Sequence, residues 1–204
     1  MKLVHFYHVY ADGLWREPVL HHIDSLNESG LMDELDEVFI GLVGSEENRK
    51  RVEQVCPGVV VAEAETGWEQ VTIEALHQYA KDNDAHILYA HTKGAWSDSE
   101  LARQWRISMT YDTVIRWRDC VEALSRVDAV GAHWLKSNEV EHSEHDHFFA
   151  GNFWWANTDY LRKLQPVRNE TRYNAEGWIG LAQPRVKDMR GGYAYWGNFW
   201  RPQS

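Results

Sequence analysis

The first ninety residues alternate between short apolar runs and amphipathic stretches, and this alternation constrains the fold more than any other feature. Four runs read as β-strands, over residues 2–10, 37–44, 58–64 and 85–90. The second, EVFIGLVG, is continuously apolar, which is typical of a strand buried on both faces. Helical patterns occupy residues 18–30, 45–55 and 66–83 between them. Such alternation with short connections predicts a mostly parallel sheet, flanked by helices and built through right-handed crossovers.

Two segments have the spacing of a helix capping box, in which a hydroxyl side chain is followed three residues later by a glutamate. Thr66 and Glu69 are placed to begin the third helix. Ser97 and Glu100 are placed to begin a long helix that reaches about Arg126.

The second half of the chain is less regular. Residues 128–135 and 148–156 read as strands, 136–147 as a polar loop, and 158–164 and 175–183 as short helices. The segment from Arg185 onward has no clear period. Because no stretch has the composition of a linker, we expect a single domain over residues 1–204.

Composition narrows the possible functions. The net charge of -10 argues against a protein that binds mainly by neutralising nucleic-acid phosphates, so nucleic acid is not an expected partner. No apolar run approaches the roughly 18 residues of a membrane span, and the two cysteines lack metal-ligand spacing. These features favour a cytoplasmic location. The eleven tryptophans suit both a hydrophobic core and a ligand site, and the two interpretations are compatible.

The predicted fourth strand is followed by His91, Thr92, Lys93 and Gly94. Ligands of parallel α/β sheets bind beyond the carboxyl ends of the strands. Lys93 there could neutralise a phosphate, His91 could donate a hydrogen bond or ligate a metal, and Gly94 could let the backbone approach a ligand. A plain glycine turn fits the same four residues, and neither a Walker A loop nor a GxGxxG sequence is present.

The stretch HFFAGNFWWANTDY, residues 147–160, concentrates aromatic and amide groups. As a strand it would send Asn152 and Trp154 to one face and Phe153 and Trp155 to the other, so that one face packs and the other meets a ligand. A second GNFW at residues 197–200 is either coincidence or a tail that folds back over the site. We therefore expect Asn152→Ala, but not Asn198→Ala, to abolish activity.

Two further polar segments have open interpretations. The loop HSEHDH, residues 142–147, holds three histidines and Asp146, which suit zinc or manganese but also suit a solvated loop. Glu176 lies near the start of a short helix, where it is either a general base or an acid stabilised by the helix dipole.

Taken in order, LYAHTKGA, the WR pair at 105–106, VGAHWL, HFFAGNFWWA and RYNAEGWIG resemble a family of small glycosyltransferase-like proteins of bacteria, phages and some eukaryotes. The His-Thr-Lys element is also similar to one in rhamnan-synthesis glycosyltransferases. The resemblance covers roughly residues 85–182, and the first 84 residues match only in their βα pattern.

The resemblance implies a GT-A-like fold, with a nucleotide-binding half over residues 1–94 and an acceptor half over residues 95–204. It implies transfer of a sugar from a nucleotide-diphosphate sugar, a UDP-sugar being the first choice, to a hydroxyl of a glycan, protein or other acceptor. Most GT-A enzymes hold a divalent metal with an Asp-x-Asp motif where this chain has His91-Thr92-Lys93-Gly94. Dependence on Mn²⁺ or Mg²⁺ therefore stays open, since Lys93 could supply part of that charge, or His91 and His147 could be ligands.

The resemblance and the strand order together imply a set of site residues. The expected donor-binding residues are His8, Tyr10, Glu65, Thr66, His91, Thr92, Lys93 and Gly94, of which the first four follow from strand topology alone. The expected sugar-binding or acceptor-binding residues are His147, Gly151, Asn152, Trp154 and Trp155. Glu176 is the expected base on the acceptor hydroxyl, and Lys93 or a metal is expected to stabilise the departing diphosphate.

Two other functions fit parts of the pattern. The missing Asp-x-Asp motif suits a non-catalytic carbohydrate-binding protein on a degenerate transferase scaffold. A DNA-base glycosyltransferase of the phage type needs only a local basic strip, although the net charge of -10 weighs against it. The sugar, the acceptor, the anomeric outcome and the oligomeric state stay open.

Overall fold

A computed structural model of the protein describes residues 1–136 and 147–190. The strands are β1 (Lys2–Tyr10), β2 (Glu37–Val43), β3 (Val59–Ala64), β4 (Ala85–His91), β5 (Ala129–Gly131), β6 (Trp134–Lys136), β7 (His147–Phe149), β8 (Trp154–Asn157) and β9 (Val186–Asp188). The helices are α1 (Arg16–Glu28), α2 (Glu46–Glu53), α3 (Gln70–Asp82), α4 (Glu100–Thr110), α5 (Trp117–Ala123), α6 (Thr158–Leu161) and α7 (Tyr173–Gly177). A π-helical turn (Tyr111–Ile115) lies between α4 and α5, and a 3-10 turn (Trp178–Gly180) follows α7.

Seven strands form the central sheet in the order β3-β2-β1-β4-β8-β5-β9. Strands β1 to β4 pair in parallel, whereas β8 is antiparallel to both β4 and β5. Strands β6 and β7 form a separate antiparallel pair. The predicted α/β class, with a mostly parallel central sheet flanked by helices, is confirmed, while the division into a nucleotide half and an acceptor half stays a prediction.

Alternate residues of β1 show how the sheet is covered on both faces. Phe6 packs in a cluster with Ile73 of α3 and residues of α6 and α7. Tyr7 packs in a second cluster with Val19 of α1 and Val52 of α2. One layer therefore consists of α3, α6 and α7, and the other contains α1 and α2. Within the described ranges, no helix has the length and apolar character needed to cross a membrane.

The predicted capping boxes are both wrong in detail. Helix α3 begins at Gln70, and Glu69 takes the N-cap position with no side-chain capping bond, so Thr66 lies outside the helix. Helix α4 is capped by Ser99, whose hydroxyl accepts a hydrogen bond from the Ala102 N–H. The long helix predicted to reach Arg126 is instead divided into α4, the π-helical turn and α5.

The two strands predicted in the second half are also broken. The first divides into β5 and β6 at His133, which has a φ of 63°. The second divides into β7 and β8 at Gly151 and Asn152, which have φ values of 89° and 56°. Positive φ lies outside the extended region, so neither run can continue as a single strand. Strand β9 was not predicted, because three residues carry too little periodicity.

Trp154 and Trp155 are fully buried on opposite faces of β8. Trp154 packs in the cluster on the α3 side, and Trp155 packs with Leu88 and Val114 on the other side. The indole N–H of Trp155 donates to the Thr113 carbonyl at 2.7 Å. Both tryptophans therefore fill the core, and neither presents a ring face to a ligand.

Replacing Trp155 by alanine should lower the free energy of unfolding by roughly 3–5 kcal/mol, because it leaves a cavity and an unpaired carbonyl. Trp96→Ala is the matched control, since the Trp96 side chain is 69% exposed, and its cost should stay below about 1 kcal/mol. Urea denaturation followed by far-UV circular dichroism measures both. Equal costs for the two variants would contradict the core position of Trp155.

Candidate functional site

A tight turn between β7 and β8 brings Gly151 and Asn152 to the carboxyl end of β4. A Cβ atom on Gly151 would lie 2.4 Å from the Met109 sulfur, and the positive φ adds strain for any other residue. Asn152 also has positive φ, which asparagine tolerates better than most residues. The Gly151 carbonyl is 2.9 Å from Nε2 of His91, the last residue of β4. The turn is therefore fixed against β4 by a direct hydrogen bond.

Glu69, directly before α3, organises the same turn from the opposite side. One carboxylate oxygen accepts hydrogen bonds from the Tyr89 hydroxyl at 2.8 Å and from the Asn152 amide at 2.7 Å. The other oxygen is 3.4 Å from Nδ1 of His91. The side-chain oxygen Oδ1 of Asn152 accepts a hydrogen bond from the indole N–H of Trp154 at 2.7 Å, so the orientation of the side-chain amide is defined at both ends.

Glu176, on α7, binds the other edge of the Gly151 peptide. Its Oε1 accepts a hydrogen bond from the Gly151 N–H at 2.5 Å. Burial raises the pKa of Glu176 above the usual glutamate value, and the charge of Glu69 raises it further. Lys93 and the Gly151 N–H act in the opposite direction and lower this pKa. Glu176 thus lies close to both a second carboxylate and a cation.

Lys93 lies in the loop after β4, between this carboxylate pair and α4. Its ammonium group is 4.0 Å from the centre of the Trp105 ring, a cation–π contact. Its carbonyl accepts a hydrogen bond from Arg106 at 3.0 Å, and Arg106 is itself paired with Glu17. Burial lowers the pKa of His91 to about 3, and Lys93 contributes to the shift, so His91 is neutral at physiological pH.

The end of β1 lies beside this loop and contributes His8 and Tyr10. His8 is buried, with Nδ1 2.7 Å from the Thr72 hydroxyl, and burial lowers its pKa to about 4. The Tyr10 N–H donates to the hydroxyl of Thr92 at 3.0 Å, and the Tyr10 ring stacks on Trp96. Gly94 has a φ of 88°, as expected for a glycine that turns the loop.

The structure brings together only part of the predicted site. His91, Lys93, Gly151, Asn152 and Glu176 form one connected group at the end of β4. His8, Tyr10, Thr92 and Gly94 have the positions described above, at the end of β1 and in the loop after β4. The five remaining expected residues are not part of the connected group. Glu65 and Thr66 are exposed beyond β3, His147 begins β7 with its ring 6.0 Å from that of Trp134, and Trp154 and Trp155 are in the core.

The described residues do not fit a divalent metal. Across residues 1–136 and 147–190, no three His, Cys, Asp or Glu side chains are grouped so that they could hold an ion. Both ring nitrogens of His91 already face protein groups, Gly151 and Glu69. His142, His145 and Asp146 lie outside the described residues, as does Asn198 with the second GNFW. We therefore derive no catalytic step through a metal.

Sequence reasoning missed Glu69 and Tyr89. Glu69 has capping-box spacing, which pointed to a local role in the helix. The signal that could have identified it is its position at the carboxyl end of a parallel strand, where polar residues converge on ligands. Tyr89 offered no such signal, because an aromatic residue within a buried strand is ordinary core.

Comparisons with known proteins define the family and a distant fold likeness. The structure is similar to a CMP:2-keto-3-deoxy-manno-octonic acid synthetase complexed with CTP, at 11% identity and a TM-score of 0.48, covering 92% of this chain and 90% of that one. It is similar to a 4-diphosphocytidyl-2C-methyl-D-erythritol synthase at the same identity and TM-score, covering 92% and 89%. Such a synthase from Anaerococcus prevotii gives 11% identity and a TM-score of 0.41, covering 79% and 74%. Likenesses this distant carry no inference about activity.

Comparisons of the sequence, in contrast to those of the structure, identify a family. No curated protein matches the sequence. Residues 6–177 match the family model described as "Domain of unknown function (DUF8361)". Because the match covers most of the 204 residues, the chain belongs to this family.

Proposed function

We propose that the protein is a glycosyltransferase that moves a sugar from a nucleotide-diphosphate donor, a UDP-sugar first among them, to a hydroxyl of a glycan or protein. The observation that supports this proposal best is the contact of Glu176 with the Gly151 N–H, beside Lys93 and beyond the end of β4. A carboxylate next to a cation, at the ligand edge of a parallel sheet, provides a general base and a positive charge that stabilises a leaving group.

Glu176 is the general base of this proposal. The pKa of Glu176 is raised towards neutral pH, which favours proton transfer in the transition state. The acceptor hydroxyl oxygen forms a new bond to the anomeric carbon as its proton passes to Glu176. The bond between that carbon and the diphosphate oxygen breaks, and its electron pair leaves with the nucleoside diphosphate.

Lys93 stabilises the charge on the departing diphosphate. Its contact with Trp105 holds the ammonium group near the carboxylate pair, and the hydrogen bond from Arg106 to its carbonyl fixes the loop. A positioned cation in a partly buried site stabilises developing negative charge more strongly than one in water.

Asn152 and Glu69 position the reacting groups. Glu69 holds the Asn152 amide and Tyr89, and the turn formed by Gly151 and Asn152 presents its N–H to Glu176. Glu69 therefore acts through the turn as a positioning residue, and its charge also raises the pKa of the base.

Glu176→Gln should lower kcat/KM for sugar transfer by about 10²–10⁴-fold, because the amide cannot accept the acceptor proton. Donor affinity should change little, since glutamine still accepts the Gly151 hydrogen bond. Radiolabelled transfer from a panel of nucleotide sugars, with and without Mn²⁺, measures turnover, and calorimetry measures binding. Glycan binding with no turnover by the wild type would instead support the non-catalytic alternative.

The acid limb of the pH profile of kcat/KM should report Glu176, with activity rising as pH increases through its raised pKa. Glu69→Gln removes a neighbouring negative charge, so this pKa falls and the limb moves to lower pH. Lys93→Met removes a positive charge, so the limb moves to higher pH. Glu74→Gln, an exposed carboxylate on α3, is the control and should leave the limb in place. Shifts of the same sign in the Glu69 and Lys93 variants would contradict the assignment.

Asn152→Gly should nearly abolish transfer while it preserves the fold, because glycine accepts the positive φ but lacks the amide that binds Glu69. Asn157→Ala is the matched control, since Asn157 is the last residue of β8, the strand that follows the turn of Asn152, and its side chain bonds His86 and Leu124. Transfer rates are compared at temperatures where thermal melting shows both variants folded. Equal losses in both would show that activity depends on the stability of β8 alone.

A further inference from the structure

We propose that Trp96 and the arginine-lined groove beside it bind the nucleotide part of the donor, with the base on Trp96 and the phosphates in the groove. The inference rests on the proposed function and names the substrate-recognition residues for it. The groove residues Arg16, Arg51 and Arg103 belong to no part of the site described above. Trp96 lies beside the groove, where it stacks on Tyr10.

Trp96 is an exposed aromatic side chain with a defined orientation. Its ring stacks on Tyr10, with 4.3 Å between ring centres and 15° between the planes, while 69% of the residue stays exposed. Since Tyr10 covers one face of the indole, the opposite face is open to solvent. An open, oriented ring face at the ligand edge of a parallel sheet suits a flat heterocycle that stacks on it.

The backbone holds this pair of rings in place before any ligand arrives. The Leu14 N–H donates to the Ala95 carbonyl at 2.7 Å, and the Tyr10 N–H donates to the Thr92 hydroxyl at 3.0 Å. A Cβ on Gly13 would lie only 2.1 Å from the Ala95 oxygen, so the loops after β1 and β4 are in direct contact. A platform fixed in this way loses little conformational entropy when a base stacks on it.

A groove of about 750 Å³ adjoins the platform. Gly94 and Ser97, which flank Trp96 by one or two residues, line it, as does Gly13, which approaches the Tyr10 ring. The start of α1, the end of α2 and the first turns of α4 supply the remaining walls. This volume lies within the range of small-molecule sites.

The groove contains more cationic than anionic side chains. Its lining holds Arg16, Arg51, Arg103 and Arg106, against the two acids Glu17 and Asp98. Arg51 pairs with Glu47 of its own helix, and Arg103 pairs with Glu100 of its own helix and with Glu17 of the groove. These pairs are exposed, contribute little, and can be replaced by a phosphate. Arginine is well suited to this exchange, because its planar donors match phosphate geometry.

Arg106 and the start of α4 add fixed donors to the groove. The Arg106 side chain is 4% exposed, and its Nε has no hydrogen-bond partner in the part of the chain that is described. The first turn of α4, capped by Ser99, lines the same groove and contributes the positive end of a helix dipole. Both features favour an anion here over a neutral ligand.

The loop of Lys93 and Gly94 joins the groove to the carboxylate pair. Gly94 lines the groove, whereas the Lys93 charge acts on Glu176. A nucleotide with its phosphates in the groove would therefore direct its terminal phosphate towards Lys93 and the attached sugar towards Glu176. The arginines would then supply positive charge that a metal supplies elsewhere.

Isothermal titration calorimetry with UDP, uridine and ribose 5-phosphate tests the arrangement. Trp96→Ala should lower the affinity for UDP and for uridine about tenfold or more, the usual effect of losing a base–aromatic stack. It should leave the affinity for ribose 5-phosphate unchanged. Trp96→Phe should restore most of the affinity. The double variant Arg51→Gln with Arg103→Gln should lower the affinity for UDP and ribose 5-phosphate at least tenfold, and the affinity for uridine only slightly.

Tyr111→Ala and Arg126→Gln are matched controls, because both residues are exposed and neither lines the groove. UDP affinity that survives unchanged in the Trp96 and double-arginine variants would overturn the inference and leave the proposed function standing. If UDP and the diphosphates of cytidine, guanosine and adenosine all fail to bind the wild type, both the inference and the proposed function fail. Circular dichroism of each variant verifies that it is folded.

Discussion

The Gly151 peptide is the interaction on which the rest of the site depends. Its carbonyl faces the His91 ring at the end of β4, and its N–H donates to Glu176 on α7. One planar unit thus joins the central sheet to the helix that carries the proposed base. Because both groups of the peptide are bonded, a rotation of the turn would break two hydrogen bonds at once, and buried polar groups left unpaired are costly.

This arrangement places two carboxylates, Glu69 and Glu176, in a partly buried site beside Lys93. The Tyr89 hydroxyl and the Asn152 amide donate hydrogen bonds that compensate the charge of Glu69. Glu176 accepts a hydrogen bond from the Gly151 N–H and lies in the electric field of Lys93. Under the proposed function, the charge of these two carboxylates disfavours a diphosphate on their side of the loop. The arginines on the other side of the loop carry the opposite charge, which is the polarity that the proposed orientation of the donor requires.

The sheet could be predicted from the sequence because its determinants are local. Four apolar runs and three amphipathic segments in ninety residues leave few alternatives to a parallel α/β sheet, and β1 to β4 follow the predicted ranges within one residue at each end. The breaks at His133 and Gly151 could not be predicted in this way. Both lie in apolar runs that favour strands, and tertiary contacts override that preference.

The candidate site was predictable in part for the same reason. His91 and Lys93 follow a strand that the pattern identifies, so their place at the ligand edge was accessible from the sequence. Glu69 was not, because its spacing from Thr66 favours a helix cap and its real partners, Tyr89 and Asn152, are distant in sequence. The tryptophans were misplaced because apolar bulk alone does not distinguish a core face from a ligand face.

The GNFW segment at residues 151–154 shows why a short motif does not define its own structure. In the first copy, the positive φ of Gly151 and Asn152 is stabilised by Glu69, His91 and Glu176, none of which belongs to the tetrapeptide. The second copy, at residues 197–200, lies outside the described residues. The conformation of the first copy therefore depends on the surrounding fold and not on the tetrapeptide alone.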